Sequence, residues 1–307
     1  MTYDQQLHRI LQATGWSQEE LAGQLQVSFA TLNSWVNKRS KPRAKSLTAI
    51  DKLYLSIIGV DAADPKTVSN QKNIALRLHV DTYKLIKDRD AIDKLTLHLT
   101  YHTNTIEGST MTLADVEDVL FEDRVLTSHS AIEQAEARNH QATLHWLIGE
   151  VVNQDKDFAI NVDFIRNINL RLMNGITVDP GQFRRHAVGI QGVHVPLANW
   201  QKIPELIDKL VKDTDDNTKK LDAVSLFAYT HAQFEKIHPF SDGNGRTGRL
   251  LMLAQALQLG YIPPIVTKER KYAYYKYLEL AQVRDDYLPL EQFIAESMQF
   301  TNDLLSG

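Results

Sequence analysis

The residues most suited to chemistry stand together in one segment, 238–249, whose sequence is HPFSDGNGRTGR. Its histidine can exchange a proton near neutral pH, and its aspartate is a hard oxygen ligand for a divalent cation such as Mg²⁺. Closely spaced glycines let backbone N–H groups point at one anion, while the arginines add guanidinium forks that match phosphate oxygens. The segment therefore predicts a phosphate site with a proton acceptor at its edge.

Two helices are predicted to hold this segment between them. Apolar residues recur at helical spacing over 223–237, and Pro239 disfavours helical geometry for the residue before it. The leucines of 250–257 repeat the helical period on the other side. We therefore predict a helix, a loop and a second helix, whose positive N-terminal end faces the same anion as the loop.

Two other phosphate-binding motifs are excluded by their context. Gly243, Gly245 and Gly248 satisfy G-x-G-x-x-G, but the dinucleotide-binding version of that motif follows a β-strand, and a helix is predicted here. The G-x-x-x-x-G-K-[ST] loop does not occur in the sequence. The sequence therefore predicts neither a Rossmann nor a P-loop site.

The segment resembles the signature of the Fic family, HPFxDGNGRxxR, at every fixed position. The resemblance implies a mostly helical fold, with a helical core and a short β-hairpin called the flap. It also implies an adenylyltransferase that binds ATP with Mg²⁺ and transfers AMP to a Tyr, Thr or Ser hydroxyl of a target protein or of itself.

The same resemblance implies a role for each residue of the segment. His238 is the expected general base, and Asp242 is the expected Mg²⁺ ligand. Arg249 is expected to contact the γ-phosphate. The full set of residues implied to bind the nucleotide is Gly243, Asn244, Gly245, Arg246 and Arg249.

Bulk composition narrows the class of protein. The chain has 307 residues, of which 43% are hydrophobic, enough for one large domain and a smaller one. A net charge of −4 gives no whole-chain attraction to nucleic acid or membranes, so such binding would need a local patch. The absence of cysteine excludes disulfides and thiol catalysis. Without an apolar leader or a membrane-length apolar run, we expect a cytoplasmic protein with no membrane partner.

Residues 1–60 are predicted to form a small helical domain. Ser17 followed by Glu20 makes a capping box for its second helix. The domain resembles the helix-turn-helix of phage-repressor-like (XRE) proteins, although Gln26 stands where that family often has glycine. The resemblance is carried by the runs 16–22 (WSQEELA), 27–28, 31–32 and 38–42, together with Trp35.

This second resemblance implies DNA as a partner. By position, Thr31 and Asn33 would face the major groove, and Lys38 and Arg39 would neutralise phosphates. A helix-turn-helix usually binds as a dimer, so a homodimer is one expectation. The alternative is a protein-interaction module whose basic cluster is only a solvated turn.

Residues 61–69 lack apolar periodicity and are predicted to link this domain to a Fic domain over 70–307. The hexapeptide 103–108 (TNTIEG) resembles the inhibitory motif [S/T]xxxE[G/N] that some Fic proteins carry upstream of the core. It implies that Glu107 pairs with Arg249 and that the protein is self-inhibited. The alternative is an exposed glutamate near a helix end.

The stretch 188–196 alternates apolar residues with glycine and polar ones, which predicts a short hairpin. At this place the Fic fold has its flap, which aligns a target segment by adding it as a strand. The flap residues are predicted to be Gly189, Ile190, Gln191 and Gly192.

The polar residues Glu133, Glu136, Arg138 and His140 are interpreted as a solvated helix face.

Two alternatives to adenylyl transfer stay open at this point. The same site would remove AMP if Glu107 aligned a water molecule, as in some Fic proteins with the inhibitory motif. Alternatively, the chain is a DNA-binding transcriptional regulator whose Fic domain senses nucleotide or modifies the protein itself.

Overall fold

The computed structural model describes residues 1–154, 157–189 and 195–307 and is built from helices. The mostly helical prediction is confirmed. By internal contacts the chain divides into two compact units, the first made of 1–62 with 267–277 and the second of 63–266 with 278–307. Over the described ranges, β pairing is limited to the isolated bridges His79–Tyr261 and Phe183–Phe240.

The predicted flap falls mostly outside the described residues. Ile190, Gln191 and Gly192 lie there, whereas Gly189 is described, is exposed and belongs to no strand. The hairpin therefore stays a prediction. Within the same described ranges, no helix combines the length and the apolar character that crossing a bilayer requires.

The first unit begins with four helices around one apolar core. A capping box confirms the predicted start of the second helix, because Ser17 Oγ accepts from the Glu20 N–H and the Glu20 carboxylate accepts from the Ser17 N–H. Leu21, Leu32 and Trp35 are buried in the core. The helices are α1 (Tyr3–Thr14), α2 (Gln18–Gln24), α3 (Phe29–Val36) and α4 (Ala44–Ile58).

The turn between α2 and α3 has a backbone conformation that glycine adopts more easily than other residues. Gln26 adopts φ 54°, in the left-handed region, and its N–H donates to the Gly23 carbonyl at 3.0 Å. This conformation costs a side chain with a Cβ roughly 1–2 kcal/mol relative to right-handed geometry. The chain therefore forms this turn with glutamine in place of glycine and accepts the energetic penalty of the left-handed conformation.

Residues 267–277 complete the first unit by bonding to the end of α4. The Tyr277 hydroxyl accepts from the Val60 N–H at 2.8 Å, and Arg270 Nε donates to the Ser56 carbonyl at 3.2 Å. Gly59 adopts φ 87°, and a Cβ there would lie 3.1 Å from the Tyr277 ring. Glycine is therefore required at that corner.

The second unit is organised around one helix, α13 (Asn244–Gln258), which is buried along nearly its whole length. It packs against four other helices of the unit, so it shows no polar face. One helix, α5, begins at Pro65 inside the stretch predicted to be a linker, because Asp64 caps it and proline suits the first turn. The remaining helices are α5 (Pro65–Ala75), α6 (Thr82–Leu85), α7 (Arg89–Ile106), α8 (Leu113–Phe121), α9 (Ala131–Gln154), α10 (Val162–Leu172), α11 (Ile203–Thr218), α12 (Ala223–Ile237), α14 (Lys271–Arg284, whose first seven residues belong to the first unit) and α15 (Leu288–Ser306).

Candidate active site

The predicted helix, loop and helix are present as α12, residues 238–243 and α13. His238 ends α12 in the left-handed conformation, with φ 50° and ψ 63°, and its N–H donates to the Phe234 carbonyl at 2.9 Å. Gly243 is the N-cap of α13 and also has a positive φ. The first N–H groups of α13 have no acceptor within the helix, so they are donors of the kind that the predicted anion site requires.

The start of α13 is closely packed, and the positive φ of Gly243 favours glycine there. A Cβ on Gly243 would lie 2.6 Å from Met173 Sδ, and one on Gly245 would collide with the Glu107 carboxylate. Asn244 is buried, and its side-chain amide bonds both the N–H and the carbonyl of Phe240 at 2.9 Å. The Asn244 side chain therefore shapes the loop, which leaves its main-chain N–H for an anion.

A residue that the sequence did not point to supports the loop from α10. Asn169 is buried, and its Nδ2 donates to the Asp242 carbonyl at 3.0 Å. Its Oδ1 accepts from the Gly181 N–H at 3.0 Å. The Asp242 carbonyl and the Gly181 N–H are both distant from Asn169 in sequence, so no local sequence pattern indicates this role.

Arg246 is buried and paired with a carboxylate from α9. Its Nη1 lies 2.7 Å from Glu136 Oε1, and its Nη2 lies 3.7 Å from Asp242 Oδ1. Arg246 Nε is buried and has no acceptor among the described residues. The interpretation of Glu136 as part of a solvated face is therefore wrong, because its side chain is turned towards α13.

The same interpretation is wrong for His140, which is 1% exposed. Its Nδ1 lies 2.8 Å from the Thr100 hydroxyl of α7. Burial, with a further contribution from Arg249 and Arg246, lowers the pKa of His140 to about 3. One polar face of α9 is thus part of the interior, next to the arginines of α13.

The predicted ion pair between Glu107 and Arg249 is present. Glu107 is the C-cap of α7, and its Oε1 lies 2.5 Å from Arg249 Nη2. Arg249 is 7% exposed, and its Nε donates to the Thr103 hydroxyl at 2.7 Å. Because the Glu107 carboxylate also lies against Gly245, it occupies the positive end of α13.

His238 carries the proton chemistry that the site can offer. Its pKa is lowered to about 4, chiefly by burial and also by the Arg184 charge, while the Glu235 carbonyl, Glu107 and Asp242 oppose the shift. The imidazole is therefore neutral at pH 7 and able to accept a proton. Its Nδ1 is buried without a hydrogen bond, 3.8 Å from Glu235 Oε2.

Glu235 stands behind His238 as a buried carboxyl group. Burial raises its pKa to about 8; Arg249 opposes that rise and Glu107 adds to it. Glu235 is therefore protonated at neutral pH. The sequence placed Glu235 one turn before the histidine but gave no reason to single it out.

Asp242 fits Mg²⁺ only as a partial site. Its side chain is 58% exposed, and its Oδ1 accepts from the Gly243 N–H at 2.6 Å. Over residues 1–154, 157–189 and 195–307, no group of three or more histidine or acidic side chains could hold a metal ion. One accessible carboxylate suits an ion that arrives with polyphosphate and water as its other ligands.

The first unit places the predicted DNA-binding residues around α3. Asn33 Nδ2 donates to Gln18 Oε1 at 3.0 Å, which joins the starts of the two helices of the motif. Thr31 is half-buried, and its hydroxyl bonds Ser28 Oγ at 2.8 Å. Lys38 is paired with Asp4 at 2.9 Å, whereas Arg39 is exposed.

Fold and site together define a helical protein in which a neutral histidine lies beside the N-terminus of a buried helix. Residues 159–256 match the model of the Fic/DOC family, and residues 7–54 match a helix-turn-helix model. The chain belongs to the Fic/DOC family and carries an N-terminal helix-turn-helix domain.

Similar proteins come from insects, bacteria and a nematode. "Protein adenylyltransferase Fic" of Aedes aegypti is 33% identical over 241 residues, which are 76% of this chain and 46% of that protein. The protein of the same name from Culex quinquefasciatus is 28% identical over 284 residues, 85% of this chain and 55% of that protein. The chain thus spans about half the length of the curated relatives it matches.

Two solved structures share the fold. A Fic family protein from Desulfovibrio desulfuricans is 25% identical with a TM-score of 0.62, covering 79% of this chain and 74% of that one. Fic-1 of C. elegans is 22% identical with a TM-score of 0.66, covering 94% of this chain and 84% of that one.

Proposed function

We propose that this chain is a protein adenylyltransferase, which transfers AMP from ATP to a Tyr, Thr or Ser hydroxyl of a target protein or of itself. The observation that carries the proposal is the neutral, half-buried imidazole of His238 at the edge of the N-terminus of α13. The name of the insect relatives supports the same reaction.

The nucleotide would bind along the first turns of α13. The N–H groups of Asn244 and Gly245 would bind phosphate oxygens, together with the guanidinium groups of Arg246 and Arg249, while the Gly243 N–H already donates to Asp242 Oδ1. The unfilled Nε donor of Arg246 is one that a phosphate oxygen would satisfy. Mg²⁺ held through Asp242 would neutralise charge on the phosphates.

His238 would act as the general base. Because Nδ1 is buried beside Glu235, Nε2 is the nitrogen left to take the proton of the acceptor hydroxyl. The hydroxyl oxygen then forms a bond to the α-phosphorus, the bond between that phosphorus and the bridging oxygen breaks, and pyrophosphate leaves. Positioning and charge stabilisation supply most of the acceleration.

The resting protein would be self-inhibited through Glu107. Its carboxylate engages Arg249 and lies against Gly245, so it competes with phosphate for the same charges. A γ-phosphate can reach Arg249 only when Glu107 withdraws. The effect would be to misplace the α-phosphorus relative to His238.

A labelling experiment distinguishes this reaction from phosphoryl transfer. The Glu107→Gly variant is incubated separately with ATP labelled at the α-phosphorus and with ATP labelled at the γ-phosphorus. Adenylyl transfer leaves label on protein from the first and none from the second. Label from the γ-phosphorus alone would refute the proposal.

We also propose that the helix-turn-helix domain binds DNA, as a homodimer. The helix-turn-helix match and the exposed basic residues after α3 support this. The side chains of Lys38 and Arg39 are both exposed, but Lys38 is already paired with Asp4, so Arg39→Ala should weaken binding more than Lys38→Ala. Fluorescence anisotropy of the full chain with a duplex at two salt concentrations tests this, and Arg39→Ala should reduce the salt slope by about one. Binding that salt does not weaken would contradict it.

A further inference from the structure

One buried arginine connects the loop of His238 to both sides of the predicted flap. Arg184 is 2% exposed, and its Nε donates to the His238 carbonyl at 2.7 Å. Its Nη1 donates to the His186 carbonyl and its Nη2 to the Ala198 carbonyl, each at 2.7 Å. Nη2 also lies 3.4 Å from the Ile237 carbonyl. In the described part of the chain, each of these acceptors is a main-chain oxygen.

This contact set calls for arginine in particular. A guanidinium presents several N–H donors in one fixed plane and keeps its charge when buried, whereas a lysine ammonium is a compact point charge. Burial lowers the pKa of Arg184, and among the described residues no carboxylate pairs with it. The carbonyl dipoles are what compensates its charge.

The backbone of His238 needs such an anchor. A left-handed conformation at a residue other than glycine persists only where the surroundings determine it fully. The His238 N–H is fixed by the Phe234 carbonyl, and its own carbonyl is fixed by Arg184. The Arg184 N–H also donates to the Pro239 carbonyl at 2.9 Å, which holds the residue that follows.

We infer that Arg184 is a positioning residue, which sets the orientation of His238 and ties it to the two segments that flank the predicted flap. The inference rests on the proposed function. The Arg184 guanidinium donates to none of the residues proposed to bind the nucleotide. Its hydrogen bonds therefore control the position of His238 relative to the acceptor hydroxyl and do not affect ATP binding.

The kinetic test compares Arg184→Lys with Arg185→Lys, both in the Glu107→Gly background. Arg185 is the exposed neighbour and serves as the matched control. Arg184→Lys keeps the positive charge but loses the planar set of guanidinium N–H donors. The kcat for AMP transfer should therefore fall roughly 10²-fold, as expected for a misplaced base. The KM for ATP should stay within about twofold for both variants, and Arg185→Lys should keep its kcat.

A spectroscopic test does not depend on activity. The ring signals of His238, assigned by their loss in His238→Ala, should shift in Arg184→Lys and stay in place in Arg185→Lys. The groups that act on this ring are Arg184, Glu235, Glu107 and Asp242. Because the Arg184 charge lowers the pKa of His238, Arg184→Gln should raise that pKa relative to Arg184→Lys.

The outcomes separate the inference from the proposed function. Parental kcat in Arg184→Lys would overturn the inference, as would a loss of ATP binding and thermal stability in proportion to the loss of rate. If the Glu107→Gly parent transfers no AMP at all, the proposed function fails instead. In that case the NMR titration still decides, because unmoved His238 signals in both Arg184 variants would overturn the inference.

Discussion

The carboxylate of Glu107 lies 2.5 Å from Arg249 Nη2 and in contact with Gly245, so one side chain engages both a guanidinium and a helix N-terminus. Each of these groups attracts anions, and together they form the place where a terminal phosphate would bind. Under the proposed function, a phosphate would have to displace this carboxylate, which the protein itself supplies. The strength of that competition would then set how far Glu107 lowers the rate of AMP transfer.

Replacing Glu107 with glycine should raise the rate of AMP transfer. A coupling of 1–3 kcal/mol, typical of linked sites, corresponds to roughly 5- to 150-fold. The measurement is the initial rate of labelling from ATP labelled at the α-phosphorus. Glu122→Gly is a matched control, because Glu122 is the exposed C-cap of α8 as Glu107 is the C-cap of α7. Equal rates for wild type and Glu107→Gly would refute the switch.

The rate of transfer should depend on pH through His238. Its pKa is lowered to about 4, so the base is neutral above that pH and protonated below it. We expect a rate that is nearly constant from pH 5 to 7 and falls as pH drops through about 4. A profile measured on Glu107→Gly checks this. A midpoint near 6.5, the ordinary value for histidine, would show that the protein does not lower the pKa of His238.

Glu235 should make the protein less stable as pH rises. Its pKa is raised to about 8 in the folded state from the usual 4.5, so the folded state binds the proton more tightly. The stabilisation is complete below pH 4.5 and is lost as pH rises through about 8, by an amount on the order of a few kcal/mol. Urea unfolding at pH 5 and pH 8 should show a larger loss for wild type than for Glu235→Gln. Equal losses would mean that Glu235 is ionised in the fold.

Two glycine substitutions should have opposite effects on stability. A Cβ on Gly243 would lie 2.6 Å from Met173 Sδ at a residue with φ 76°, so Gly243→Ala should destabilise the protein by about 1 kcal/mol or more and impair ATP binding. Gly149 is its control: it lies within α9, and a Cβ there meets nothing within 4 Å. Gly149→Ala should stabilise the fold by about 0.5–1 kcal/mol. Urea unfolding measures both, and a stabilised Gly243→Ala would contradict the described loop.

The parts of the site that could be predicted are those written in local sequence. Pro239 and the flanking apolar periods predicted the helix, loop and helix, and the family motifs placed Glu107 and Arg249 together. Local sequence patterns depend on residues that are close together in the chain. They therefore predict the structure correctly where a segment determines its own conformation.

The parts that could not be predicted depend on contacts between distant segments. Arg184 and Asn169 bond main-chain groups, which carry no side-chain signature in the sequence. Glu136 and His140 were interpreted as solvated because they are polar, yet α9 turns them towards the arginines of α13 and the Thr100 hydroxyl. A polar side chain can be buried when a hydrogen-bond or charge partner compensates the loss of water. That partner is known only once the packing of the helices is known.

Intact-mass spectrometry tests the central claim most directly. Wild type, Glu107→Gly and the Glu107→Gly, His238→Ala double variant are each incubated with ATP and Mg²⁺. Adenylyl transfer with His238 as base and Glu107 as inhibitor predicts an added AMP on Glu107→Gly alone. An equal AMP adduct on the double variant, or a Glu107→Gly protein that gains none, would contradict it.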